Sequence, residues 1–154
     1  MLSLTFTTYD CIYLKVNAIS SSLNEVNRLK RILIVDDYKE IGNLLSKFFL
    51  LNGYEVDCVE NGEVALRQVR GKKYDLIITD YMMPKLDGVD LIKRLKEYNL
   101  SLPILIISGS GVGELFFREA GADAFLTKPL DLSSMRVLVE KILNSKKQIS
   151  EPDH

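Results

Sequence analysis

From Lys30 onward, apolar runs of strand length alternate five times with segments of helical period, and no other feature constrains the fold so tightly. The runs are Ile32–Val35, Tyr54–Val59, Leu76–Thr79, Ile104–Ser108 and Ala124–Thr127. Four are continuous or nearly so, the pattern of parallel strands covered on both faces. Tyr54–Val59 instead mixes Glu55 and Asp57 with Val56 and Cys58, which suits a sheet edge. Between the runs, Ile41, Leu44, Leu45, Phe48 and Phe49 make one apolar stripe on a helix that Gly53 ends. Asn61 caps a second helix, with Val64, Ala65 and Val69 inward and Gly71 past its end. Further helices are expected over Gly88–Tyr98, over Glu114–Ala120, and from Asp131 through Leu132, Met135, Leu138, Val139 and Ile142. Such alternation predicts an α/β fold, a doubly wound five-stranded parallel sheet with helices on both faces. Right-handed crossovers leave few topologies, and the order 2-1-3-4-5 puts the mixed strand on an edge.

The remaining residues flank this pattern. Residues 1–29, with the linker-like Ser20-Ser21-Ser22-Leu23-Asn24, are expected to be a flexible N-terminal extension, the domain itself to span 30–145, and residues 146–154 to be a polar tail. Basic residues number 20 against 21 acidic, interspersed, so no electrostatic footprint for direct nucleic-acid binding exists. No apolar run approaches the roughly 18 residues of a membrane span. The N-terminus lacks a basic stretch before its apolar part and Asp10 interrupts it, which argues against a secretory signal and for a cytoplasmic protein. Cys11 and Cys58 are expected to be reduced thiols, the latter in the core. The single histidine is His154, which excludes an embedded catalytic histidine and a His/Cys zinc site.

Open parallel sheets bind ligands beyond the carboxyl ends of their strands, at the point where strand order reverses. Asp36 and Asp37 follow the first run, Asp80 the third; Ser108 ends the fourth, and the fifth leads into Lys128. Each alone has an ordinary reading, as a cap, a turn or a solvated loop. Together they place three carboxylates, a hydroxyl and an ammonium on one rim. Three clustered carboxylates raise one another's pKa unless a cation sits among them, and an all-oxygen donor set favours Mg²⁺. A carboxylate beside such a cation is a competent nucleophile toward phosphorus, with a lysine to offset the phosphoryl charge.

The segments ILIVDDYKE, DLIITDYMMPKLDGVDLI, ILIISGS and GADAFLTKPL resemble those of two-component response-regulator receiver domains, such as the bacterial chemotaxis regulator, over about residues 30–145. The resemblance implies a flavodoxin-like fold and a stand-alone phosphorelay signalling receiver. It implies Asp80 as phosphoacceptor, Asp36 and Asp37 as Mg²⁺ ligands with Asp80 and the main-chain carbonyl of Met82, and Lys128 and Ser108 as partners of the phosphoryl group. Phe125, three residues before Lys128, matches the switch aromatic, and the Lys128–Pro129 bond is expected to be cis. A sensor histidine kinase or phosphotransfer protein would be the donor, and a downstream protein the target. Activity would be confined to the domain's own phosphoryl transfer and dephosphorylation. The alternatives are an Mg²⁺-dependent aspartyl-nucleophile phosphohydrolase of haloacid-dehalogenase type, which would need its nucleophile on the first strand, and a phosphate-sink or relay module. Two features depart from the family: the extension at 1–29, and a short Ser108–Gly121 segment carrying Gly109, Gly111 and Gly113.

Overall fold

The computed structural model describes residues 8–99, 101–109 and 111–145. In chain order these form α1 (Thr8–Asn27), β1 (Arg31–Val35), α2 (Lys39–Leu51), β2 (Glu55–Val59), α3 (Gly62–Gly71), β3 (Leu76–Asp80), α4 (Gly88–Tyr98), β4 (Ile104–Ser108), α5 (Glu114–Ala120), β5 (Ala124–Thr127) and α6 (Leu132–Ser145). The five strands make one parallel sheet in the order β2-β1-β3-β4-β5, as expected.

Side chains alternate across a strand, so the continuous apolar runs feed two cores. Leu33, Ile77, Ile104 and Ile106 meet Ala65, Leu91, Ile92, Leu95 and Phe117 on one face. Ile32, Ile34, Leu76, Ile78, Leu105 and Ile107 meet Leu45, Phe49, Met135 and Val139 on the other. Each fully buried Leu, Ile or Phe contributes roughly 1.5–3 kcal/mol relative to exposure, so β1, β3 and β4 anchor the sheet. The edge strand β2 is only partly covered, and its Asp57 instead accepts from Tyr74 Oη at 2.6 Å and pairs with Lys72 Nζ at 2.5 Å.

Helix ends follow local chemistry. Asn61 Oδ1 accepts from the Val64 N–H at 3.0 Å and Asp87 Oδ1 from the Asp90 N–H at 2.9 Å, each satisfying a donor that a first helical turn leaves open. Gly53 (φ +84°) and Gly121 (φ +106°) supply left-handed backbone after α2 and α5. Gly71 is the last residue of α3 rather than the one beyond it.

Two expectations are corrected. Within the extension, residues 8–27 are helical: no Gly or Pro precedes Gly42, and the Ser/Asn-rich stretch weakens a helix without breaking it. Cys58 is exposed on the edge strand, not a core residue; it is a free thiol. Residues 1–7 and the tail 146–154, with His154, lie outside the described residues, as does the side chain of Cys11.

Where α1 gives way to the sheet, Arg28 donates to both carboxylate oxygens of Asp75, at 3.0 and 2.8 Å, and the Arg31 N–H donates to Asp75 at 2.8 Å. A two-pronged guanidinium–carboxylate contact is directional as well as charged. It fixes the chain's entry at the amino ends of β1 and β3. Asp75 immediately precedes β3 and Asp80 ends it, so this clamp and the opposite rim stand about 16 Å apart.

Candidate functional site

Every residue read from the sequence as a rim group lies at the carboxyl end of the sheet. Asp36 and Asp37 follow β1, Asp80 is the last residue of β3, Ser108 the last of β4, and Lys128 follows β5. The order β1-β3-β4-β5 makes these ends neighbours, in a register that pairs Val35 with Thr79, Asp80 with Ile107 and Ser108 with Thr127.

Carboxylate oxygens of Asp36, Asp37 and Asp80 lie within 4.8 Å of one another. Asp36 and Asp80 are buried, and Asp37 is exposed. Lys128 Nζ stands 3.2 Å from Asp80 Oδ1. Burial pushes the Asp80 carboxyl above the usual carboxylate range; the Lys128 charge opposes the rise and the Asp37 charge adds to it. Burial raises Asp36 as well, opposed by the Tyr38 N–H, which donates to Asp36 Oδ1 at 2.8 Å, and reinforced by Asp80. Two desolvated carboxyls beside a third hold charge at a cost that a bound cation would relieve. The donor set is all oxygen, as a hard divalent ion requires.

Backbone contacts fix the rim. The Lys128 N–H donates to the Ser108 carbonyl at 3.0 Å, and Ser108 is itself fully buried. The Lys128–Pro129 bond is cis, as expected. The loop after Asp80 is closed by the Gly88 N–H on the Tyr81 carbonyl at 2.9 Å. Met82, two residues past Asp80, turns its side chain to solvent.

Two residues that sequence reasoning left without a role contribute here. A Cβ on Gly88 would meet the Asp80 carbonyl oxygen at 2.7 Å and the Tyr81 Cα at 3.0 Å, so only glycine lets α4 start this close to the rim. The Asp87-Gly88 pair was the available signal. Phe117 is fully buried and stacks on Phe125, with ring centroids 4.9 Å apart, while Tyr81 meets it edge-on at 5.0 Å. Of Leu115, Phe116 and Phe117, the short α5 buries only the last. Phe125 is half-buried against it. An aromatic path thus runs from Tyr81, next to Asp80, through α5 to β5.

Residues 32–140 match the model of the response regulator receiver domain family. The chain is 36% identical over 125 residues to the alkaline phosphatase synthesis transcriptional regulatory protein PhoP of Bacillus subtilis, covering 80% of this chain and 52% of that protein. It therefore spans about half the length of this relative. Among solved structures, the receiver domain of the Francisella response regulator 1452 superposes with a TM-score of 0.72 at 30% identity, over 76% of this chain and 98% of that one. The response regulator TrrA of Thermotoga maritima, solved with Mg²⁺ and BeF, gives 0.69 at 30% identity, over 74% and 99%.

Proposed function

Because the chain belongs to the response regulator receiver domain family, we propose that it accepts a phosphoryl group on Asp80 and switches a partner-binding surface in response. The donor would be a phosphohistidine on a sensor kinase or phosphotransfer protein. Support comes from one observation above all: three carboxylates within 4.8 Å on a rim where an ammonium stands 3.2 Å from the central one.

Asp36, Asp37 and Asp80 fit Mg²⁺ in number and chemistry, and the main-chain carbonyl of Met82, two residues after Asp80, would join them. Bound there, the cation would supply charge neutralisation for phosphoryl oxygens. An Asp80 carboxylate oxygen forms the new O–P bond as the donor's N–P bond breaks. The donor nitrogen leaves with the electron pair and takes up a proton. Lys128, held beside Asp80, offsets charge that accumulates on the phosphoryl oxygens. Hydrolysis by water returns the carboxylate, so the chemistry is confined to the domain's own modification. The added charge of roughly −1.5 to −2 would draw the Ser108 hydroxyl and let Phe125 move against Phe117.

The target is a protein in the cytoplasm rather than nucleic acid, in keeping with the balance of 20 basic and 21 acidic residues. No helix among the described residues is long and apolar enough to cross a membrane. A haloacid-dehalogenase-type phosphohydrolase is not favoured, since the buried carboxylate beside the lysine ends β3 and not β1. The test is incubation with Mg²⁺ and acetyl phosphate, read by intact mass. One phosphoryl adduct is expected on the wild type and none on Asp80→Asn; equal labelling of both would refute Asp80 as the acceptor.

A further inference from the structure

The helix α1 supplies no group to the Asp80 rim. Ile12, Val16, Ile19 and Leu23 are 56%, 56%, 60% and 63% exposed, although all are large aliphatic residues. Their spacing is four, three and four residues. In the sequence the same rhythm reaches Tyr9, three residues before Ile12, and Val26, three after Leu23. Six apolar positions thus follow the 3.5-residue repeat that keeps one seam toward a partner helix as two helices supercoil. At about 100° per residue the seam occupies one narrow face, and Leu14 stands on the opposite side of the helix.

We propose that α1 pairs with the α1 of a second copy of this chain through that seam. Three observations favour a second copy over other occupants. The first is the rhythm, since a helix built to lie on a globular core or in a bilayer surface carries a broader apolar face of period 3.6. The second is charge. Asp10, Lys15 and Glu25 are the only charged residues of α1, so it has no basic face for an anionic surface. Among the positions flanking the seam only Lys15 is charged, which leaves no like-charge clash between two copies. The third is intrinsic weakness. Ser20-Ser21-Ser22 and three asparagines are poor helix formers, and a 20-residue helix, about 30 Å long, holds in water mainly by burying a face. The Arg28–Asp75 clamp ties the helix exit to the amino end of the sheet. Pairing there leaves the Asp80 rims of both copies open.

Sedimentation equilibrium of the full chain over a hundredfold concentration range tests this. The wild type should move from one chain mass toward two, alike with and without Mg²⁺ and acetyl phosphate. Ile19→Gln with Leu23→Gln keeps a residue of good helix propensity at both positions and should weaken association at least tenfold. Leu14→Gln should associate as the wild type does. Unchanged melting of the three proteins would confirm that the sheet domain is intact in each. A wild type that stays monomeric, three proteins that associate equally, or association that appears only with acetyl phosphate would each overturn the pairing. Monomeric wild type that binds phosphatidylcholine–phosphatidylglycerol vesicles, with the double variant not binding, would overturn it in favour of a lipid surface.

Discussion

Asp80→Asn should make the metal-free domain more stable. The nearest oxygens of Asp36 and Asp80 lie within 4.8 Å, where two like charges at an effective dielectric of about 20 repel by roughly 3–4 kcal/mol. Asp37 is exposed, and its repulsion is screened to about 1 kcal/mol. Lys128, a third exposed and 3.2 Å away, returns about 2–4 kcal/mol of attraction. The Asp80 charge is therefore opposed by roughly 0–3 kcal/mol before its desolvation is added. Burial then adds to this opposition, and it outweighs Lys128 in raising the Asp80 carboxyl. A carboxyl raised in the folded state binds its proton more tightly there than when unfolded. Its contribution to stability is full below the unfolded value of about 3.8 and is lost as pH rises through the folded value. Near neutral pH in EDTA, Asp80→Asn should gain about 1–3 kcal/mol, a rise of roughly 4–10 °C in melting temperature. The gain should shrink toward acid, where the wild-type carboxyl is protonated, and should shrink when Mg²⁺ saturates the wild type. A variant no more stable than wild type at neutral pH, or a gain unchanged toward acid, would refute the reasoning.

Asp37→Ala should weaken Mg²⁺ affinity tenfold or more, about 1.4 kcal/mol, by calorimetry or by the Mg²⁺ dependence of melting, because one of three oxygen donors is lost. Gly88→Ala should lose about 1–3 kcal/mol in urea unfolding, since its Cβ would lie 2.7 Å from the Asp80 carbonyl and both partners are backbone. Phe117→Ala should cost about 3–5 kcal/mol and broaden the Tyr81 and Phe125 ring signals in NMR, as it removes the ring on which both rest. Ser108→Ala should still accept the phosphoryl group, yet show little of the hydrogen-exchange change that beryllofluoride produces over residues 111–126 of the wild type.

The sheet was legible because each central strand is buried on both faces, leaving a continuous apolar run with no competing period. All five strands fall within one residue of their expected ends. The rim was legible for a topological reason: parallel strands deliver the residues that follow them to one edge, whatever their separation in sequence. Contacts that depend on packing between elements were not legible. Nothing in sequence joins Arg28 to Asp75, 47 residues apart, or Phe117 to Tyr81. The helix at 8–27 was missed because its serines and asparagines resemble a linker by composition, while the absence of Gly and Pro argued the other way. Cys58 was misplaced because its alternation with Val56 reads as a covered face, whereas the edge strand β2 leaves Cys58 exposed.

The carboxylate of Asp75, gripping the incoming chain at the far end of β3 from Asp80, separates how the domain is mounted from what it does. Whatever lies upstream of Arg28 meets the sheet at the Asp75 carboxylate, with the length of β3 between it and the phosphoryl chemistry. Upstream segments can then be exchanged, lengthened or lost with little change in phosphorylation rate at Asp80, whereas a change at Arg28 or Asp75 would loosen the mounting and leave the reaction intact. The domain is in that sense a cartridge, keyed at its base and active at its mouth.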